Sequence, residues 1–232
     1  MPFLMFDPTF FLLIPALIFA FWAQWKVQHT YSKYSKVPAA NGLTGAQIAK
    51  AIMTRNGIQD VTIEEVGGVL SDHYDPRAKV VRLSSHNARE SSLAAIAVGA
   101  HEVGHVLQHA RGYVPLTLRS TMAPVAGFGS MLAFPLFFIG IFFFRGDTAR
   151  WLMDLGILFF SGAVVFQMVT LPVEFDASKR ALAQLTETGA LAPQEVEGAK
   201  KVLDAAALTY VAAAAVAALH LLRLILLRNS RN

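Results

Sequence analysis

Residues 101–105 read His-Glu-Val-Gly-His. On a helix, histidines at i and i+4 leave one face about 6 Å apart along the axis, so both imidazoles can meet a single ion. Neutral ring nitrogens suit zinc, which favours tetrahedral sites built from His, Cys and carboxylate ligands. A glutamate directly after the first histidine can take a proton from water that such an ion activates. His101 and His105 are therefore read as metal ligands and Glu102 as a general base. At this chain's His and Glu content, about 0.007 such patterns arise by chance.

A catalytic zinc takes three protein ligands and keeps one position open. His109 continues the i, i+4, i+8 series, but eight residues rise ~12 Å along a helix, too far for His101 and His109 to share one ion. The third ligand must come from elsewhere. The best source is Glu174-Phe-Asp-Ala-Ser178, because a carboxylate against the end of an apolar span needs a partner and a metal is one. Asp176 is the rival ligand; on a helix it lies ~200° around from Glu174, so the two do not easily bind one ion together. His73, His86 and Glu90 sit in turns or polar stretches where solvation accounts for them.

The elements that must position these groups are mostly apolar. Of 232 residues, 54% are hydrophobic and 16% charged, with mean hydropathy +0.45 and 17 Phe; soluble domains carry nearer ~25% charge. This composition argues against an ordinary cytosolic enzyme and excludes a disordered chain. The absence of cysteine removes disulfides, Cys-held zinc, iron–sulfur clusters and thiol nucleophiles. The net charge of +4 is no nucleic-acid signal, because the basic residues flank apolar runs as in membrane proteins. Four stretches are apolar enough to span a bilayer: Phe3–Trp25, Ser120–Phe144, Leu155–Val173 and the Ala-rich Ala205–Leu222. Pro15, Pro124 and Pro135 fall inside them. The first lacks both a basic leader and a small-residue cleavage site, so it reads as a retained anchor.

If all four span, segments 26–119 and 174–204 share one side and hold 15 of the 20 Lys and Arg residues. The positive-inside rule then puts both in the cytoplasm. Within 26–119, Thr44-Gly-Ala-Gln47 is a capping box opening a helix with Ile48, Ala51 and Ile52 on one face, closed at Gly57. Val61–Glu64 alternates like a half-buried strand, Gly67-Gly68 turns the chain, and Lys79–Leu83 reads as a second strand of a small hairpin. Ser91 or Ser92 caps the helix that carries HEVGH, and Gly112 stops it.

Five segments together resemble the YugP-type family of neutral zinc metallopeptidases: Gly42–Ala46, Leu70–Pro76, Val81–Ser84, Ala100–His105 and Leu171–Ser178. That family is similar in logic to HtpX-type membrane proteases and other gluzincins, whose third ligand is a downstream glutamate. The resemblance implies Glu174 in that role. Those relatives carry an aspartate four residues later, behind a ligand histidine; this chain has Ser178 there, so Ser178, Asp176 and His109 are the groups expected to support the ligands. The resemblance also implies that substrate adds as a strand along an edge at Val80, Val81, Arg82 and Leu83. His73, Tyr74 and Arg180 are candidates to stabilise an oxyanion.

The expected protein is mainly α and integral to a membrane, with about four transmembrane helices and a small zincin-like domain bearing a β-hairpin or edge strand. Its parts are an anchor (1–25), a catalytic portion (26–119), a transmembrane hairpin (120–173), a third-ligand segment (174–204) and a C-terminal span and tail (205–232). The expected activity is zinc-dependent endopeptidase, with one Zn2+ per chain and unfolded or membrane-proximal polypeptides as substrates. The expected location is a prokaryotic inner (plasma) membrane with the site facing the cytoplasm. A non-proteolytic zinc-binding assembly or scaffold protein is the alternative from another class; it would close the fourth coordination position and have no use for Glu102. A zinc transporter would place its ligands mid-span, where these do not lie.

Overall fold

The apolar stretches form helices that outrun them. In a computed structural model, which describes residues 8–68 and 71–230, a 3-10 turn at Pro8–Leu12 leads into α1 (Ile14–Tyr34), α2 (Gly45–Arg55), β1 (Thr62–Val66), β2 (His73–Asp75) and β3 (Val80–Ser84). Then come α3 (Ser85–Arg89), α4 (Leu93–Ala110), α5 (Val114–Phe143), α6 (Gly146–Glu187) and α7 (Pro193–Asn229). Phe3–Asp7 of the first apolar stretch, Leu70 and Arg231 lie outside the described residues. Among the described residues, four helical segments are long and apolar enough to cross a membrane: Pro8–Tyr34, α5, α6 and α7. Phe21, Val125, Phe143 and Trp151 on these helices are each more than 60% exposed, an arrangement lipid satisfies and water does not. This is a mainly α membrane protein.

Length explains the overrun. The 42 residues of α6 rise about 63 Å, roughly twice the hydrocarbon thickness of a bilayer. The surplus is the polar run from Pro172 to Glu187, which includes Glu174. Pro124, Pro135 and Pro172 lie inside helices, whereas Pro15 falls in the first turn of α1, where its missing N–H costs nothing.

The chain divides into two compact units, one holding residues 24–117 and 172–208 and the other the remaining ends of α1, α5, α6 and α7. The second has a core of Phe137, Ile141, Met153, Phe160, Leu224 and Leu227, with Asp154 accepting from both Nε and Nη2 of Arg228 at 2.8 and 2.9 Å.

The first unit carries the HEVGH helix. α4 is buried on nearly every side, as a helix apolar all round must be. Ser92 caps it through the Ala95 amide, and Thr44 and Gln47 form the capping box of α2. α2 buries Ile48, Ala49, Ile52 and Met53, while Ala51, expected on that face, is exposed. α2 lies against α4 at two glycines: a methyl on Gly99 would sit 2.6 Å from the Gly45 carbonyl oxygen.

The sheet corrects two expectations. Its order is β1-β3-β2, with β1 parallel to β3 and β2 antiparallel to it. The strands read from Val61–Glu64 and Lys79–Leu83 are therefore not a hairpin. The hairpin joins β2 to β3 through a turn in which Asp75 accepts from the Arg77 and Ala78 amides and Lys79 adopts φ 54°. Nor is Val80–Leu83 an edge: β3 is the central strand, its backbone groups shared between two neighbours, and the sheet's edges are β1 and β2.

α6 approaches α4 at Gly104, the fourth residue of the HEVGH motif. A methyl there would lie 2.4 Å from the Ala177 carbonyl oxygen, closer than carbon and oxygen can pack, so the helices must part to admit it. Gly104→Ala should cost about 1–3 kcal/mol in stability. Gly127→Ala on α5, where a methyl meets nothing within 4 Å, should be neutral or gain up to about 1 kcal/mol. Thermal unfolding of both variants in detergent checks the contrast.

Candidate metal centre

One turn of α4 separates His101 from His105, and their rings stand edge-on with centroids 4.9 Å apart. Because α6 passes close at Gly104, Glu174 reaches the same place from the other helix. Its Oε2 lies 3.2 Å from His101 Nε2 and 3.6 Å from His105 Nε2, and the carboxylate is 2% exposed. Among the described residues, these three form the group able to hold a metal, each offering a ligand atom within 4.8 Å of the others.

The donor set fits zinc. Ligands at ~2.0–2.1 Å in a tetrahedron stand about 3.3 Å from one another, close to the 3.2 and 3.6 Å between the carboxylate oxygen and the two ring nitrogens. Two neutral imidazoles and one carboxylate are also the hydrolytic zinc combination rather than the all-oxygen set of magnesium or calcium.

Behind the rings, each Nδ1 meets a polar partner. His101 Nδ1 lies 3.2 Å from Ser178 Oγ, where the resemblance placed a supporting group. His105 Nδ1 lies 2.9 Å from Gln108 Oε1. The Gln108 amide donates to the Val173 carbonyl at 2.7 Å and to Asp176 Oδ2 at 2.9 Å. Asp176 also accepts from Arg180 Nε, and the Arg180 guanidinium lies 5.6 Å from the Tyr113 ring centroid. Sequence reasoning passed over Gln108, although at i+3 from His105 and i+7 from His101 it lies on the ligand face of α4.

Glu102 is buried, and that burial pushes its carboxyl above the ordinary range. The imidazoles of His101 and His105 pull the other way, while Glu174 and Asp72 add to the rise. Asp72 is itself held by the Ser84 amide at 2.7 Å and by Asn87 Nδ2 at 2.9 Å, and Asn87 accepts from the Tyr31 hydroxyl at 2.7 Å.

The remaining sequence candidates have other partners. The Tyr74 hydroxyl and His109 Nδ1 are 2.8 Å apart and line a cavity of about 250 Å³ with Ile58, Asp60 and Val106. Burial pushes the Tyr74 hydroxyl up to about 12, so it stays protonated at neutral pH. His73 Nδ1 faces the Ser71 carbonyl at 2.9 Å, and Arg82, on the central strand, is engaged by Glu64 and Asp75.

Comparison with known proteins agrees with this chemistry. Residues 9–229 match the family described as "Putative neutral zinc metallopeptidase". A curated relative, "Putative membrane protease YugP" of Bacillus subtilis, is 49% identical over 217 residues, covering 94% of this chain and 95% of the relative. No solved structure matches significantly. With the family matched along nearly the whole length and almost half of the positions shared with that relative, the chain belongs to the family described as "Putative neutral zinc metallopeptidase".

Proposed function

We propose that this protein is a membrane-integral, zinc-dependent endopeptidase of the gluzincin type, with one zinc held by His101, His105 and Glu174. The observation that carries the reading is the convergence of both Nε2 atoms on one buried carboxylate oxygen, with a second buried carboxylate, Glu102, next in sequence to a ligand. A structural zinc site has no use for that second carboxylate, which speaks against the scaffold alternative.

A bound zinc supplies Lewis acidity, lowering the pKa of water towards 7 and polarising a carbonyl. Glu102 takes a proton from the attacking water as its oxygen bonds to the scissile carbonyl carbon. It then hands that proton to the departing nitrogen as the C–N bond breaks. Burial holds its carboxyl above the ordinary range, and the apolar surroundings favour handing the proton on to the departing nitrogen. His101, His105 and Glu174 hold and orient; they exchange no proton. Substrates are unfolded or membrane-proximal polypeptides, since the ligand-bearing part of α6 follows directly on its apolar run. The edge left for a substrate strand is β2 or β1 rather than the central strand. The basic-residue asymmetry favours a cytoplasmic site in a prokaryotic plasma membrane.

Purified full-length protein should carry about one zinc per chain and cleave an unfolded substrate. Glu102→Gln should keep its zinc while the rate falls ~10²–10⁴-fold. Glu174→Ala should lose metal and activity together, and Asp176→Ala should keep metal while losing about 10–100-fold in rate. Metal analysis alongside the cleavage assay decides; zinc retained by Glu174→Ala but stripped from Asp176→Ala would move the third ligand by two residues.

Acid should abolish activity. The histidines must be neutral to bind metal and Glu102 must be ionised to accept a proton, so both requirements fail in the same direction. The rate is expected to fall as pH drops through about 6. Chelation should abolish it and added zinc restore it; activity persisting in excess chelator after prolonged dialysis would overturn the assignment.

Orientation is checked separately. Reporter fusions after residues 38, 147 and 190 should read inside, outside and inside. Disagreement between 38 and 190 would separate the two ligand-bearing segments and contradict the shared site.

A further inference from the structure

We propose that Gln108 is a positioning residue that fixes the tautomer of His105, its own amide being locked in place by Val173 and by the Asp176–Arg180 pair. This rests on the zinc reading above and adds a role to residues outside the ligand set.

An amide side chain offers one acceptor oxygen and two N–H donors, and which end is which must be inferred from its neighbours. Around Gln108 the neighbours leave one solution. The Val173 carbonyl and the Asp176 carboxylate both lie within hydrogen-bond distance of the same atom, at 2.7 and 2.9 Å, and both are acceptors only. That atom must be the nitrogen, since the opposite orientation would press an oxygen against two others in a site where Gln108 is 0% exposed. Arg180 holds Asp176 from the other side, aiming the carboxylate at the amide.

With both donors spent, Gln108 presents His105 with an oxygen that can only accept. His105 Nδ1, 2.9 Å away, must therefore carry the proton. The Nε2 lone pair is then free on the side facing Glu174, as a metal ligand requires. His101 lacks such a lock: its Nδ1 meets the Ser178 hydroxyl, which can donate as well as accept. The tautomer is thus dictated at one ligand and permitted at the other.

Zinc affinity by chelator competition is the first measurement, on the full chain in detergent. The second is the proton spectrum of the cobalt-substituted protein, in which a ligand imidazole N–H appears as a shifted, exchangeable signal. Wild type should show a His105 N–H signal that exchanges slowly with solvent and that Ser178→Ala, which alters the partner of His101 Nδ1, leaves unchanged. Gln108→Leu, similar in size and without hydrogen bonds, should bind zinc about 10–100-fold more weakly and lose the slow exchange. Gln108→Glu sets a carboxylate against Val173 and Asp176 and should weaken binding likewise. Adding Asp176→Asn restores a donor to that carboxylate, while the Val173 carbonyl still opposes it, and should recover part of the affinity and of the protected signal. This pair decides the matter should Gln108→Leu fail to fold. Unchanged affinity and exchange in Gln108→Leu, or no recovery in the double variant, would overturn the role of Gln108 while leaving the zinc site standing. Failure of wild type to take up either metal would overturn both.

Discussion

A carboxylate buried inside a helical packing layer costs several kcal/mol unless charges or donors surround it. Glu174 is in that position on α6, facing the Nε2 atoms of the two α4 imidazoles, and a cation held between the three would balance its charge. The arrangement works only if the two helix backbones pass closely, which Gly104 allows by offering no side chain to the Ala177 carbonyl. The second residue between the histidine pair's glutamate and its last histidine is thus set by packing as well as by the motif. Much else in this unit serves to hold α4: the α2 contact at Gly45 and Gly99, the Ser92 cap, and the sheet beneath.

Environment divides the carboxylates into different jobs. Glu174 faces two imidazole nitrogens, as the proposed metal ligand must. Glu102, one residue from His101, has burial against it and Asp72 within electrostatic reach, so its proton is held more tightly and can be moved. Asp176, on the far side of α6, is spent on Arg180 and Gln108. In the proposed mechanism the three acidic groups at one helix–helix contact bind, transfer and orient, and the division follows from what each touches.

How much of this was legible depends on the length scale of each signal. HEVGH could be read because an i, i+4 pair is a local geometric fact. Glu174 could be reached because a carboxylate after an apolar run demands a partner and the family resemblance supplies one. The helix caps at Thr44 and Ser92 were equally local. The sheet was misread because two strands separated by Gly67-Gly68 imitate a hairpin, whereas the intervening His73–Asp75 strand has three residues, too few to show alternation. Pairing order is a long-range property, so the central strand looked like an edge. The extent of α6 and α7 was hidden because hydropathy ends where the helix does not. Gln108 was missed for a different reason: an amide on a helix carries no signal until its tertiary neighbours are known.

On the proposed reading, His101, His105 and Glu174 converge on one zinc and leave a position open. X-ray absorption at the zinc edge of the purified wild-type protein measures this directly, since it counts ligands and distinguishes imidazole nitrogen from oxygen. The expected spectrum has two imidazole nitrogens, with oxygen from one carboxylate and from an exchangeable ligand that azide or a hydroxamate displaces. A zinc saturated by four protein ligands and unmoved by either reagent, or one with a single imidazole, would contradict it.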